Sequence, residues 1–180
     1  GVILDRSGIA EDLLETMGKL FGKLNGGLAI SVVIVGAMLA ATTGVVGATV
    51  VTMGIIALPI MLKHNYSASL ASGTIAASGT LGQIIPPSII LILLGDVMGV
   101  PVGQLFVGSI IPGLLLVTFF MLYILIYAWH KPSVAPAFNL KQNNFNYIDL
   151  INTILPPLLL ILSVLGSIFL GIATPTESAA

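Results

Sequence analysis

Cysteine is absent from the chain. That excludes a disulfide framework, a thiolate nucleophile and a zinc–thiolate site together. Charge is scarce: Asp, Glu, Lys and Arg make up 7% of the residues, against roughly 25% in soluble domains. The net charge is -1, so there is no basic footprint for nucleic acid. No Gly-x-x-x-x-Gly-Lys element is present to cradle a phosphate, so the chain does not itself use ATP. His64 and His130 stand far apart and offer no metal-ligand spacing. Asp96 is the one acid between Leu24 and Trp129. It reads as a solvated turn residue, and no second intramembrane aspartate accompanies it to form a catalytic pair.

What fills the chain is apolar. Hydrophobic residues account for 57% and mean hydropathy is +1.12, which assigns the chain to a lipid bilayer. The chain opens at Gly1 and closes on Thr176-Glu177-Ser178-Ala179-Ala180, as if another segment were beginning. It is therefore expected to be an internal piece of a larger integral membrane protein.

Six stretches follow one another. Residues 1–27 are expected to hold a surface amphipathic helix and a linker. Ile9, Leu13, Leu14, Met17, Leu20, Phe21 and Leu24 recur at helical spacing, and Asp5, Glu11, Asp12 and Glu15 precede Lys19 and Lys23. Residues 28–62 are one apolar run, too long for a single crossing of about 20 residues and too short for two crossings with a turn. Its centre, Ala40 to Thr49, is small and hydroxyl-bearing. The economical reading is a re-entrant hairpin with its tip near mid-membrane. A helix pair with a tight turn is the alternative.

Residues 63–98 hold a transmembrane helix that the sequence interrupts. Gly79 and Gly82 weaken it, and Pro86-Pro87 cannot donate to the carbonyls four residues back, those of Gly82 and Gln83. Inside a bilayer a stranded carbonyl needs protein, water or an ion. Gly95 to Pro101 reads as a turn. Residues 99–130 contain the cleanest transmembrane helix, Leu105 to Tyr127, with Tyr123, Tyr127 and Trp129 at its far interface. Residues 131–147 form a polar loop. Residues 148–180 open another span, with Pro156-Pro157 inside it and a break expected at 171–177. Under the hairpin reading Lys19, Lys23, Lys63, Lys131 and Lys141 share one face, which the positive-inside rule makes cytoplasmic.

The order of short elements carries a resemblance. Gly26-Gly27-Leu28-Ala29-Ile30 comes first, then Thr42-Thr43-Gly44 with Ala48, then Pro59-Ile60-Met61 and Tyr66. Gly79-Thr80-Leu81-Gly82-Gln83-Ile84-Ile85-Pro86-Pro87-Ser88 follows, then Leu105-Phe106, Ile111-Pro112-Gly113 and Thr174-Pro175-Thr176-Glu177. This succession resembles the large membrane subunit of tripartite ATP-independent periplasmic transporters, the DctM-like family. Many members carry Gly-Ser at the hairpin tip, where this chain has Gly44-Val45.

The resemblance implies an all-α integral membrane fold: a helical bundle with a re-entrant helical hairpin and a broken transmembrane helix, forming half of an inverted-repeat, elevator-type transporter. Residues 148–180 would begin the second repeat. It implies a multi-pass protein of the bacterial inner membrane that is not an enzyme. The expected activity is sodium-coupled import of an organic acid (a C4-dicarboxylate, sialic acid or similar carboxylate). A periplasmic substrate-binding protein would deliver the acid, and a small membrane subunit would accompany the large one. No cofactor beyond the coupling sodium ion is implied.

By position in the family pattern, the first sodium site would use Ala40, Thr43, Gly82, Ile85 and Pro87. The Thr43 hydroxyl would join main-chain oxygens of the other four. Hydroxyls and unwound carbonyls suit such an ion without formal charge. Thr42, Gly44 and Gly47 are the substrate candidates at the tip, where helix N-termini favour a carboxylate. Ser88 either caps the second half-helix or faces the substrate. Competing readings are a passive channel and a structural membrane subunit without coupling.

Overall fold

The computed structural model describes residues 9–137 and 147–170. Asp5, Lys141 and the break expected at 171–177 lie outside the described residues. Among the described residues the chain is helical, with no strand.

Helix α1 (Ile9–Phe21) carries Glu11 and Asp12 in its first turn and Lys19 in its last, the arrangement the helix dipole favours. Ala10, Leu13, Leu14 and Met17 are buried, and the helix packs on α2 (Gly27–Thr43) and α7 (Tyr147–Phe169). Helix α2 is the centre of the molecule. It is apolar on every side, and such a helix needs cover on every side. It touches α1, α3 (Val46–Lys63), α4 (Ala68–Thr80), α6 (Val102–His130) and α7.

Between α2 and α3 the chain turns within two residues. Gly44 adopts the left-handed conformation at φ 63°, and Val45 is extended. The two arms pack as a helical hairpin. Helix α4 lies against both arms. Its sequence is Ala-Ser-Leu-Ala-Ser-Gly-Thr-Ile-Ala-Ala-Ser-Gly-Thr, and small side chains let backbones approach closely. A Cβ added at Gly36 of α2 would stand 2.5 Å from Ser78 Oγ, and one at Gly79 would overlap the Val50 side chain of α3.

Helix α4 ends at Thr80. A single 3-10 turn follows at Leu81–Gln83, then irregular chain, and helix resumes as α5 (Ile89–Met98). Helix α5 runs through Gly95 and Asp96, where the sequence suggests a turn, and closes at Gly99 with φ 65°. There Val100 N–H donates to the Gly95 carbonyl. Helix α6 has 29 residues, about 43 Å at 1.5 Å per residue. Among the described residues three helices are long and apolar enough to cross a membrane: α3, α6 and residues Leu150–Phe169 of α7. Large apolar side chains stand exposed along α5, α6 and α7, among them Leu93, Val97, Ile111, Phe119, Leu122 and Leu162. A continuous apolar exterior of this kind suits lipid rather than water.

One end of the bundle is tied by main-chain bonds. Gly26 N–H donates to the Ala135 carbonyl at 2.9 Å, and Ser67 N–H donates to the Val134 carbonyl at 3.0 Å. The starts of α2 and α4 and the chain just beyond α6 therefore meet. Buried Tyr66 sits at this junction, and its hydroxyl accepts the Leu28 N–H at 3.3 Å. The first turn of α2 thus gains a partner for an otherwise open donor.

Candidate functional site

The hairpin tip and the interruption between α4 and α5 come together. Ala40 lies one turn before the end of α2, and Gly82 lies in the 3-10 turn. A Cβ added at Gly82 would stand 2.6 Å from the Ala40 carbonyl oxygen and 2.8 Å from its Cβ. Only a residue without a side chain fits there. A Cβ added at Gly44 would likewise meet Ile89 Cγ1 at 3.1 Å and lie 3.6 Å from the Ile89 nitrogen. The tip is therefore held against the beginning of α5 as well.

Hydroxyls line the tip. Thr42 Oγ1 donates to the Leu39 carbonyl at 2.8 Å. Thr43 Oγ1 lies 3.4 Å from the Ala40 carbonyl and 2.6 Å from Thr49 Oγ1 across the turn. Thr49 Oγ1 donates to the Val45 carbonyl at 3.2 Å. The Ala40 carbonyl also accepts the Gly44 N–H at 2.9 Å.

In the interruption, Ile84 and Ile85 N–H both donate to the Leu81 carbonyl. Pro86-Pro87 follow, joined by a cis peptide bond. The two carbonyls facing the prolines meet different fates. Buried Ser88 turns its hydroxyl back and donates to the Gln83 carbonyl at 2.8 Å, replacing the donor that Pro87 lacks. Pro86 has no N–H to offer the Gly82 carbonyl, and the Gly82 backbone packs against Ala40.

Of the expected sodium ligands, Ala40, Thr43 and Gly82 fall in one cluster. Ile85 lies on the same interruption, with its side chain toward Gly113 of α6: a Cβ added there would stand 3.3 Å from Ile85 Cγ1. Pro87 completes the irregular chain. Of the substrate candidates, Thr42 and Gly44 flank Thr43 at the tip. Gly47 sits in the first turn of α3, with open space where a Cβ would be. Neither Val45 at the start of α3 nor Ser88 at the start of α5 provides a side-chain cap. Two helix N-termini with open donors thus approach one another at the tip, the arrangement that attracts anions.

The distance of the site from the tied end follows from the helix lengths. Gly113 is level with Ile84 and Ile85, and the stretch from Gly113 to His130 is about 25 Å long. Helix α2, with 17 residues, covers about 25 Å from the tied end to the tip, and α4, with 13, covers about 20 Å to the interruption. The α2 and α4 distances start from the junction of Gly26, Ser67, Val134 and Ala135, and the third ends at His130, just before it.

Sequence reasoning passed over Thr49, which contacts Thr43. The available signal was a second threonine one helical turn into the second arm. It also used Tyr66 only as a motif residue and missed its cap on α2.

The sequence matches the family described as tripartite ATP-independent periplasmic transporter, DctM component, over residues 1–180. It is 37% identical to the C4-dicarboxylate TRAP transporter large permease protein DctM of Vibrio cholerae, over 98% of this chain and 38% of that protein. Similarity to the protein of the same name from Pseudomonas aeruginosa is 35% identity, over 100% of this chain and 42% of that protein. Identity to the ectoine TRAP transporter large permease protein TeaC of Halomonas elongata is 34%, over 99% of this chain and 41% of that protein. The chain thus spans well under half the length of these relatives.

Proposed function

Because the chain belongs to the DctM component family of tripartite ATP-independent periplasmic transporters, we propose that it forms the first-repeat transport elements of a sodium-coupled permease importing an organic acid. The permease works in the bacterial inner membrane with a small membrane subunit and a periplasmic substrate-binding protein. The substrate is a C4-dicarboxylate, sialic acid or a similar carboxylate. Relatives named for C4-dicarboxylates and for ectoine bracket the class of small, oxygen-rich solutes. Membership of this family does not favour a passive pore or a merely structural subunit.

The observation that carries the reading is the contact of Gly82 with the Ala40 carbonyl, beside the Thr43 hydroxyl. Sodium is taken here by the oxygens of Ala40, Thr43, Gly82, Ile85 and Pro87. The set is neutral, so the ion leaves without overcoming a fixed carboxylate. Thr42, Gly44, Gly47 and Ser88 stand around the carboxylate, which the open N-terminal N–H groups of α3 and α5 favour. In this reading the hairpin is re-entrant, which its small, hydroxyl-bearing tip and two-residue turn at Gly44-Val45 support. Ion and substrate share the tip, so each raises affinity for the other by the same factor.

The test is uptake by the full-length permease, reconstituted with its small subunit and binding protein in vesicles carrying an imposed sodium gradient. Accumulation should require sodium, and Thr43→Ala should raise the sodium concentration for half-maximal uptake. Accumulation independent of sodium contradicts the reading.

A further inference from the structure

We propose that Thr49 is a positioning residue for the sodium site, acting by taking the proton of Thr43. The inference rests on the sodium reading above and extends it to a residue outside the ligand set. Thr49 is 1% exposed, and a buried hydroxyl requires hydrogen-bond partners. Each threonine has one proton to place. The Thr43 proton has two acceptors in reach: Thr49 Oγ1 at 2.6 Å and the Ala40 carbonyl at 3.4 Å. Either oxygen can donate across the 2.6 Å contact, so the second acceptors decide: the Val45 carbonyl lies 3.2 Å from Thr49 Oγ1, nearer than the Ala40 carbonyl lies to Thr43 Oγ1, and the Thr43 proton therefore goes to Thr49. The Thr49 proton then goes to the Val45 carbonyl at 3.2 Å.

The chain of donors runs Thr43 to Thr49 to Val45, away from Gly82. Its consequence is electrostatic. With its proton drawn across the turn, Thr43 Oγ1 presents lone pairs to a cation. The Ala40 carbonyl, relieved of Thr43, accepts only the Gly44 N–H and keeps its second lone pair for the ion. Without an acceptor at position 49, the Thr43 proton has only the Ala40 carbonyl to turn to, and two ligands are compromised by one rotation. A plain structural staple between the two arms would need the contact but not this direction of the proton.

The experiment uses purified full-length permease and follows its thermal unfolding as sodium chloride is titrated at constant ionic strength, with choline as the replacing cation. Thr49→Val keeps the shape and removes the acceptor. It should raise the sodium concentration for half-maximal stabilisation about tenfold, the scale of a hydrogen bond serving a charged centre. Thr49→Ser, which keeps the hydroxyl, should stay within about twofold of the native value. If Thr49→Val does not accumulate, Thr49→Cys carries the test, since its sulfur is a weaker acceptor of similar size, and a smaller shift in the same direction is expected. A lower unfolding temperature with an unchanged sodium requirement overturns the proposal and leaves Thr49 a staple. If the native protein shows no sodium stabilisation and no sodium-dependent uptake, the sodium reading falls and this inference with it.

Discussion

The dipeptide Pro-Pro occurs twice in this chain with opposite results. Pro86-Pro87 lies in irregular chain between α4 and α5, whereas Pro156-Pro157 lies inside the unbroken helix α7. The prolines remove the same donors in both places, so they do not by themselves decide the outcome. The surroundings do. Before Pro86 the chain reads Gly79-Thr80-Leu81-Gly82-Gln83, and before Pro156 it reads Asn152-Thr153-Ile154-Leu155. Glycine lowers helix propensity by about 1 kcal/mol per residue, and Gly82 also admits the Ala40 carbonyl. Beyond the prolines Ser88 supplies a donor to Gln83. The interruption is a tertiary structure assembled around the hairpin tip.

The largest effect is expected at Gly82. Gly82→Val drives a side chain into the Ala40 backbone and should destabilise the full-length permease by about 2–3 kcal/mol, with sodium-dependent uptake falling to background. Gly166→Val in α7, where a Cβ meets nothing within 4 Å, should change thermal stability by less than about 0.5–1 kcal/mol. Next comes Ser88→Ala, which leaves the Gln83 carbonyl without its donor and should cost about 0.5–1.5 kcal/mol by the same thermal measurement. Ser163→Ala is its counterpart in α7, where the exposed hydroxyl only bonds back to Leu160; less than about 0.5 kcal/mol is expected. Tyr66→Phe removes the acceptor for Leu28 N–H at the far end of α2 and should cost about 1 kcal/mol. That loss should leave the sodium requirement of uptake unchanged, because Tyr66 is a hairpin's length from the tip.

Much of the fold could be read from the sequence because it rests on local chemistry. The run of apolar residues from 28 to 62 with a small centre carries its turn at Gly44-Val45. The glycines and prolines from 79 to 87 mark the place where α4 gives out. Less legible were the features that depend on contacts between elements. Gly95 and Gly99 are equally good stop signals in sequence, yet α5 ends at the second, because Gly95 packs against Val100, Val102 and Leu105. Helix α6 extends from Val102 to His130, past the expected Leu105 and Tyr127, since propensity does not fix where a helix frays. Burial of Ala10, Leu13 and Leu14 of α1 by protein is equally invisible to periodicity, which gives an apolar face but not what covers it. At the candidate site, Ala40, Thr43 and Gly82 were named from pattern. Thr49 was not, because its contact crosses a turn whose geometry Gly44 sets.

On the proposed reading, the Ala40–Thr43 tip and the Gly82–Pro87 interruption bind sodium as one site. Equilibrium binding of radiolabelled sodium to purified full-length permease tests it most directly, with native protein and Thr43→Ala compared under conditions where both are folded. Saturable binding by the native protein is expected, and at least about tenfold weaker binding by the variant at this site. Equal sodium affinity in the two proteins, with the same number of ions bound, would contradict it.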